Sequence, residues 1–249
     1  MAQKSIILAL ETSSRIGSVA LGIGQKMLVE TTFSEPLRHS AEIFPAIYDL
    51  TGRFGYKPDQ IEHVYISIGP GSFTGLRIAA TTAKMMNLAN DVKVVTVSTL
   101  DVIAANVTGI LSDESISPGS VNRIATILDA KRGQFFVAIY ERNQNDKHKF
   151  DYPENWNKIL PDSVMNPEHF LTQYVSKQKP LWLLGDGLVY YKDRFQAEGI
   201  LFLDQSYWSP KASGVHLLGW QKARQGQFAE PVSMTPSYLL RPDIKIKTR

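Results

Sequence analysis

Short apolar runs separated by polar turns open the chain. Residues 5–10 read as a buried strand, because a run with two isoleucines stops at the polar turn Glu11-Thr12-Ser13-Ser14-Arg15. Strands over 18–23 and 27–32 follow, joined by Gly24-Gln25, and connections this short predict an antiparallel meander. The period then turns helical. With Ser40 as the N-cap, Ile43, Phe44, Ile47 and Leu50 recur as one face, and Gly52 and Gly55 end the element. Pro45 inside that helix removes one backbone hydrogen bond and predicts a kink near its start. Further along, 64–68 reads as a strand, 73–89 as a helix, 92–97 as a strand, and a helix follows Ser98.

Residues 109–122, rich in Ser, Gly, Asp and Pro, read as a linker, after which the opening pattern returns. Ala125-Thr126-Ile127-Leu128-Asp129 followed by Gly133 repeats the logic of Ile7-Leu8-Ala9-Leu10-Glu11 followed by Gly17. In each, a buried strand delivers a carboxylate into a turn, and a glycine opens the return strand. Residues 181–184 form a strand ending in Gly185-Asp186-Gly187, a helix reaches about 198, 200–203 is a strand, and 215–224 is a helix. This predicts an α/β protein of two similar halves, 1–108 and 123–249, facing across a cleft. Coincidence is the alternative, because many strands end in Asp followed by Gly.

Composition narrows the classes. Apolar residues make up 43% of the 249, which supports a packed core. A net charge of +3 is thin ground for a nucleic-acid surface, and the basic tail Lys245, Lys247 and Arg249 reads as solvated, with RNA phosphates as the alternative. The absence of cysteine excludes disulfides, thiol nucleophiles and Cys-based zinc sites. The opening apolar run is too short for a signal-peptide core or a membrane span, which predicts a cytoplasmic protein that does not enter the membrane.

Three stretches carry candidate chemistry. Gly69-Pro70-Gly71-Ser72-Phe73-Thr74-Gly75-Leu76-Arg77 joins a strand to a helix N-terminus, where backbone N–H groups favour an anion; Gly69, Gly71 and Ser72 are its candidate phosphate contacts. It lacks the Lys-Ser/Thr of a Walker loop, and a tight turn binding nothing is the alternative. Thr12 and Ser13 can likewise offer hydroxyls and amides to a phosphate. Glu11 and Asp129 can flank a magnesium ion, or merely cap their own turns. His39 has Ile43 one turn later, where a metal pair needs a second histidine, so no metal site is read, and no catalytic residue either. Ser72 lacks the setting of a nucleophile elbow. Finally, Leu76, Ala79, Ala80, Ala83, Met86 and Ala89 recur at helical spacing, and such small residues predict a helix that a second helix approaches closely.

Together the Glu11 turn, the segment His39-Ser40-Ala41-Glu42-Ile43-Phe44-Pro45, the glycine loop, Leu128-Asp129-Ala130-Lys131-Arg132-Gly133-Gln134 and Pro236-Ser237-Tyr238-Leu239-Leu240-Arg241 resemble the ordered signatures of the TsaB (YeaZ) family. The likeness spans nearly the whole chain and is strongest up to Tyr140. It implies an actin-like (ASKHA) fold of two ribonuclease-H-like halves. It also implies a supporting role in threonylcarbamoylation of the adenosine beside the tRNA anticodon, with the catalytic paralogue TsaD, with TsaE, and with tRNA met through the complex. TsaD carries a His-x-x-x-His metal pair on its first long helix; here the second position is Ile43, which implies a non-catalytic subunit. The family usually has Asp where this chain has Glu11. The docking face implied for TsaD, or for a second copy, uses Ile43, Phe44, Ile47, Leu76, Ala80, Ala83 and Met86. No cofactor of the chain's own is implied, with ATP and magnesium a weaker expectation. Two alternatives stand beside this reading: an actin-fold small-molecule phosphotransferase, and the glycopeptidase of an older family label.

Overall fold

The computed structural model describes residues 5–36, 38–112, 121–143 and 153–240. The first half builds β1 (Ile6–Glu11), β2 (Ser18–Ile23), β3 (Lys26–Thr32), α1 (His39–Arg53), β4 (His63–Gly69), α2 (Phe73–Asn90), β5 (Lys93–Ser98) and α3 (Thr99–Ala104). The second builds β6 (Arg123–Lys131), β7 (Gln134–Arg142), β8 (Trp156–Met165), α4 (Pro167–Tyr174), β9 (Leu181–Leu184), α5 (Leu188–Tyr191), β10 (Ile200–Phe202) and α6 (Ala212–Arg224).

Each half forms one five-stranded sheet, ordered β3-β2-β1-β4-β5 and β10-β9-β6-β7-β8. Read from the third strand of each half, the two orders are the same. β1 pairs antiparallel with β2 and parallel with β4, and β6 pairs antiparallel with β7 and parallel with β9. Three antiparallel strands followed by two parallel ones is the ribonuclease-H-like unit, and two in tandem make the actin-like α/β fold. The duplication read from the two carboxylate-bearing strands is therefore present in the strand order itself.

The halves interlock through their last helices. α3 packs on β6 and β7 of the second sheet, while α6 lies across β1, β2, β4 and β5 of the first. On α6, a Cβ at Gly219 would stand 2.4 Å from the Tyr65 ring, so glycine there lets the helix seat on the sheet. His216 of the same helix is buried in that interface, and burial pushes its pKa down to about 4.

Several boundaries differ from expectation. α1 starts at His39 with Arg38 as an N-cap that makes no side-chain capping bond, so Ser40 lies inside the helix. The helix runs on through Pro45 to Arg53. Phe44 is not on the apolar face: Ile43, Ile47 and Leu50 are buried, while Phe44 is exposed. A 3-10 helix, Ala105–Ser112, occupies the first residues of the stretch read as a linker, of which 113–120 lie outside the described residues. The helix expected up to 198 is only α5 plus a 3-10 turn, Lys192–Arg194. Strand β8 was not foreseen. It carries Pro161 and pairs only with β7 at the sheet edge, where register irregularities absorb the missing donor. No helix among the described residues is long and apolar enough to cross a membrane.

Candidate functional site

The first turn and the glycine loop meet at the cleft. β1 carries Glu11 to a fully buried position, where it accepts hydrogen bonds from the Ser13 amide (2.6 Å) and from the hydroxyls of Ser13 and Ser67. Burial raises its pKa, and those donors partly oppose the rise. The Thr12 hydroxyl donates to the Gly75 carbonyl (2.7 Å), and the Ser72 amide to the Ser13 carbonyl (2.6 Å). The Ser72 hydroxyl caps α2 by accepting from the Gly75 amide at 3.3 Å.

The glycines have a steric reason. A Cβ on Gly75 would lie 1.8 Å from the Thr12 carbonyl oxygen, and one on Gly71 would lie 2.4 Å from that of Ser13. One on Gly69 would lie 2.6 Å from the Ser237 carbonyl oxygen. The loop thus lies backbone-to-backbone against the first turn and the C-terminal segment. The hydroxyls of Thr12, Ser13 and Ser72 are thus engaged by the Gly75 carbonyl, the Glu11 carboxylate and the Gly75 amide, while Ser13, Gly71 and Ser72, three of the residues read as phosphate contacts, line the cavity between the halves.

The second half presents its carboxylate differently. Asp129 is half-buried and accepts from the Lys131 amide (2.7 Å), the Lys131 ammonium and the Tyr191 hydroxyl (2.9 Å). Burial pushes its pKa up, but the bonds from Lys131 and Tyr191 prevail and hold it below the usual range. The β6–β7 turn then passes through left-handed backbone at Lys131 (φ 67°), Arg132 (φ 56°) and Gly133 (φ 75°). Only the last is glycine, so two basic side chains occupy positions that disfavour them. Beyond β9, Gly185 brings the next turn against the Ile127 backbone and Asp186 enters the cleft. Burial, then the charges of Glu11 and Asp129, raise the Asp186 carboxyl to about 7.

These elements enclose a cavity of about 840 Å³ between the halves. Asp129 and Asp186 are in its wall, with Arg15, Lys131 and Arg132 among the bases and Phe73, Tyr190 and Tyr238 among the rings. The pair Glu11 and Asp129 does not offer magnesium a ready-made cage of free carboxylate oxygens. Those of Glu11 and Asp129 are taken by protein donors, and among the described residues no three His, Asp or Glu groups converge for a metal. His39 is buried on the first turn with Nε2 3.0 Å from the Ser14 carbonyl, and Ile43 is core.

The helical face needs a correction. Ile43, Ile47, Leu76, Ala80 and Ala83 are all buried within the monomer, and Met86 is half-buried. Ile43, Ile47, Ala80 and Ala83 belong to the first half's own core cluster, so the close approach their spacing predicts is to neighbours in the same chain. The large apolar side chains that α1 and α2 show to solvent are Phe44 (54% exposed), Tyr48 (75%), Met85 (57%) and Leu88 (89%), with Phe73 (37%) at the cleft end of α2.

Sequence reading passed over Asp186, Tyr190, the Lys131–Arg132 pair and Tyr238 as site residues. A signal existed for the first: an aspartate between two glycines at a strand end occupies in the second half the place of the glycine loop in the first. The basic tail from Arg241 onward lies outside the described residues.

Comparison with known proteins agrees with this architecture. A family model described as "TsaD: tRNA N6-adenosine threonylcarbamoyltransferase" matches residues 35–245. The "tRNA threonylcarbamoyladenosine biosynthesis protein TsaB" of Bacillus subtilis (strain 168) is 27% identical over 237 residues, covering 94% of this chain and 93% of the relative. The protein of the same name from Escherichia coli (strain K12) is 25% identical over 236 residues, covering 94% of each. The solved structure "YeaZ from Pseudomonas aeruginosa" superposes with a TM-score of 0.74 at 24% identity, over 94% of this chain and 100% of that one, and shares its fold.

Proposed function

The chain belongs to the family of TsaD, tRNA N6-adenosine threonylcarbamoyltransferase, and we propose that it is a non-catalytic subunit in tRNA threonylcarbamoyladenosine biosynthesis that docks a TsaD-like partner. Its curated relatives named TsaB support the pathway. One observation carries the division of roles. On α1 the position one turn after His39 is Ile43, fully buried, while the other side of the helix shows Phe44 and Tyr48 to solvent. This helix is built to pack and to dock, not to ligate.

The docking face comprises Phe44 and Tyr48 of α1 with Met85 and Leu88 of α2. Fully burying a side chain of this size is worth about 1.5–3 kcal/mol, so covering the four contributes favourably against the entropic cost of association, which is of comparable size. A second copy of the chain competes for the same face. In this reading TsaE joins the assembled pair, tRNA is met in the complex, and the chain works in the cytoplasm without a cofactor of its own. Against the phosphotransferase alternative, the Thr12, Ser13 and Ser72 hydroxyls it would use are already bonded within the protein.

The test mixes the purified chain with TsaD, TsaE, the threonylcarbamoyl-adenylate-forming enzyme and tRNA. Modified adenosine is expected only from the mixture, and Tyr48→Glu with Leu88→Glu is expected to abolish both partner capture and modification. Transfer by the chain alone would sink the proposal.

A further inference from the structure

The wall of the inter-half cavity holds more cationic and aromatic surface than docking through α1 and α2 requires. Its bases come from separate elements. Arg15 stands on the β1–β2 turn and Lys131 and Arg132 at the β6–β7 turn, while Arg77, on the second turn of α2, flanks the cavity by touching its lining residues Phe73 and Tyr238. Phe73, Tyr190 and Tyr238 each keep between about a third and a half of their surface open. Arginine orders both tyrosines: Arg15 donates to the Tyr190 hydroxyl at 2.9 Å, and Arg77 donates to that of Tyr238 at 3.2 Å. The Arg77 guanidinium also lies 3.7 Å from the centre of the Phe73 ring, whose centroid is 5.0 Å from that of Tyr238.

We infer that this cavity mouth binds single-stranded RNA, with bases stacking on Tyr190, Phe73 and Tyr238 and phosphates on Arg15, Arg77, Lys131 and Arg132. The inference rests on the proposed function for its choice of RNA and extends it to a site. Aromatic faces beside cations suit unpaired bases, because every base offers a π-face while the phosphates pass over the basic rim. Rings already held by hydrogen bonds lose little freedom on binding. Two basic residues kept in left-handed backbone, where glycine or asparagine fits better, mark a turn whose side chains matter more than its local stability. The Asp129 carboxylate disfavours phosphate at the wall, and the Asp186 carboxyl, raised to about 7, offers a hydrogen-bonding group there for a base edge.

Fluorescence anisotropy of the full chain with a labelled, unstructured RNA oligomer, and with the same RNA in a duplex, tests this. The single strand is expected to bind more tightly, with log affinity falling linearly with log salt. Arg15→Glu with Arg132→Glu should weaken binding at least tenfold and flatten the salt slope; Tyr190→Ala should cost about tenfold at unchanged slope. Should the charge reversal unfold the chain, Arg15→Gln with Arg132→Asn replaces it, asparagine being suited to left-handed backbone. Arg53→Glu, outside the cavity, should change nothing. Equal affinity for the duplex, or unaltered single-strand affinity in the cavity variants, overturns the inference. So does loss of TsaD capture by those variants with RNA affinity intact, which would give the cavity to a protein partner. None of these results bears on whether the four-component mixture modifies tRNA, so failure of the site and failure of the proposed function remain distinguishable.

Discussion

The β1–β2 turn of the first half and the β6–β7 turn of the second occupy equivalent places, yet the carboxylate that enters one is sealed and that of the other is open. Each follows the central strand of its sheet, and each is approached by a glycine-bearing loop from the neighbouring parallel strand. In the first half that loop brings Gly71 and Gly75 onto the carbonyls of Ser13 and Thr12, and Glu11 ends fully buried among hydroxyls. In the second, Gly185 makes the same close approach to Ile127, but the residue beside it is Asp186, facing the cavity. Glycine spacing preserves the architecture, and the side chains between the glycines decide whether a turn is a lock or a surface. The helices diverge in parallel: α1 and α2 have 15 and 18 residues and their counterparts α4 and α5 have 8 and 4, while the second half's one long helix, the 13-residue α6, is spent on the first sheet.

The largest effect expected from breaking this comparison is at Gly75. An alanine there would place its Cβ 1.8 Å from the Thr12 carbonyl oxygen, and two backbone segments would have to separate. Gly75→Ala should cost about 3 kcal/mol or more, given that overpacking a compliant core already costs 1–3. At Gly133 in the open turn, the nearest atom to a new Cβ is 3.6 Å away, on Arg194, and only the left-handed backbone resists. Gly133→Ala should therefore cost about 1–2 kcal/mol. Urea denaturation of both variants gives the ratio; similar losses would mean that the first turn is no more locked than the second.

Next in size is the exchange of carboxylate for amide. Glu11→Gln sets an NH₂ group against hydroxyls that now donate, in a site without water access, and should cost about 1–3 kcal/mol. Asp129→Asn removes charge from a partly exposed group whose cationic partner reaches solvent, and should cost about 1 kcal/mol or less. A reversed order in melting experiments would contradict the sealed-and-open distinction.

What the sequence disclosed follows the range of the forces involved. The Glu11 and Asp129 strands were readable because a buried central strand needs an unbroken apolar run, which is local information. β8 was hidden because an edge strand with Pro161 and exposed alternate residues has no such run. Leu188, Tyr191 and Phe195 are all buried at a spacing that suits one long helix, but an α-turn followed by a 3-10 turn satisfies the same burial. The glycine loop was legible as a strand-to-helix turn; that its glycines face the Thr12 and Ser13 carbonyls, not a phosphate, depends on a partner segment distant in sequence. For the same reason Ala83 and its neighbours were legible as a close-contact stripe, with burial inside the monomer as one reading of it, and only the packing of the first half's core decides for that one.

A further contrast concerns pH. Asp186, raised from 3.8 to about 7, binds its proton more tightly folded than unfolded, so it contributes stability that declines as pH rises across that window. His216, lowered from 6.5 to about 4, does the opposite: the unfolded chain takes up the proton first, and stability falls as pH drops from about 6.5 to 4. The two slopes oppose each other where the windows overlap. Asp186→Asn removes one of them. It should raise stability at pH 8 by about 1–3 kcal/mol, since each tenfold difference in proton affinity between the folded and unfolded chain is worth about 1.4 kcal/mol. Stability near pH 4 should stay almost unchanged. Equal effects at both pH values, by thermal melting, would mean that Asp186 is not held protonated by its surroundings.

The smallest stability effect belongs to the residue expected to matter most for assembly. Leu88 is 89% exposed near the end of α2, so Leu88→Glu should change monomer stability by about 0.5 kcal/mol or less. Five residues earlier on the same helix, Ala83 is fully buried, and Ala83→Arg should unfold the first half by forcing a charged side chain into its core. Both variants would fail to retain a TsaD-like partner, for different reasons, and the pair separates a docking face from a structural one. Circular dichroism melting alongside partner capture reads the difference: Leu88→Glu should melt with wild type and not capture, while Ala83→Arg should lose its transition altogether. If Leu88→Glu captures its partner undiminished, the exposed side of α1 and α2 is ordinary solvent-facing surface, and the partner must be held by the second half or the cleft.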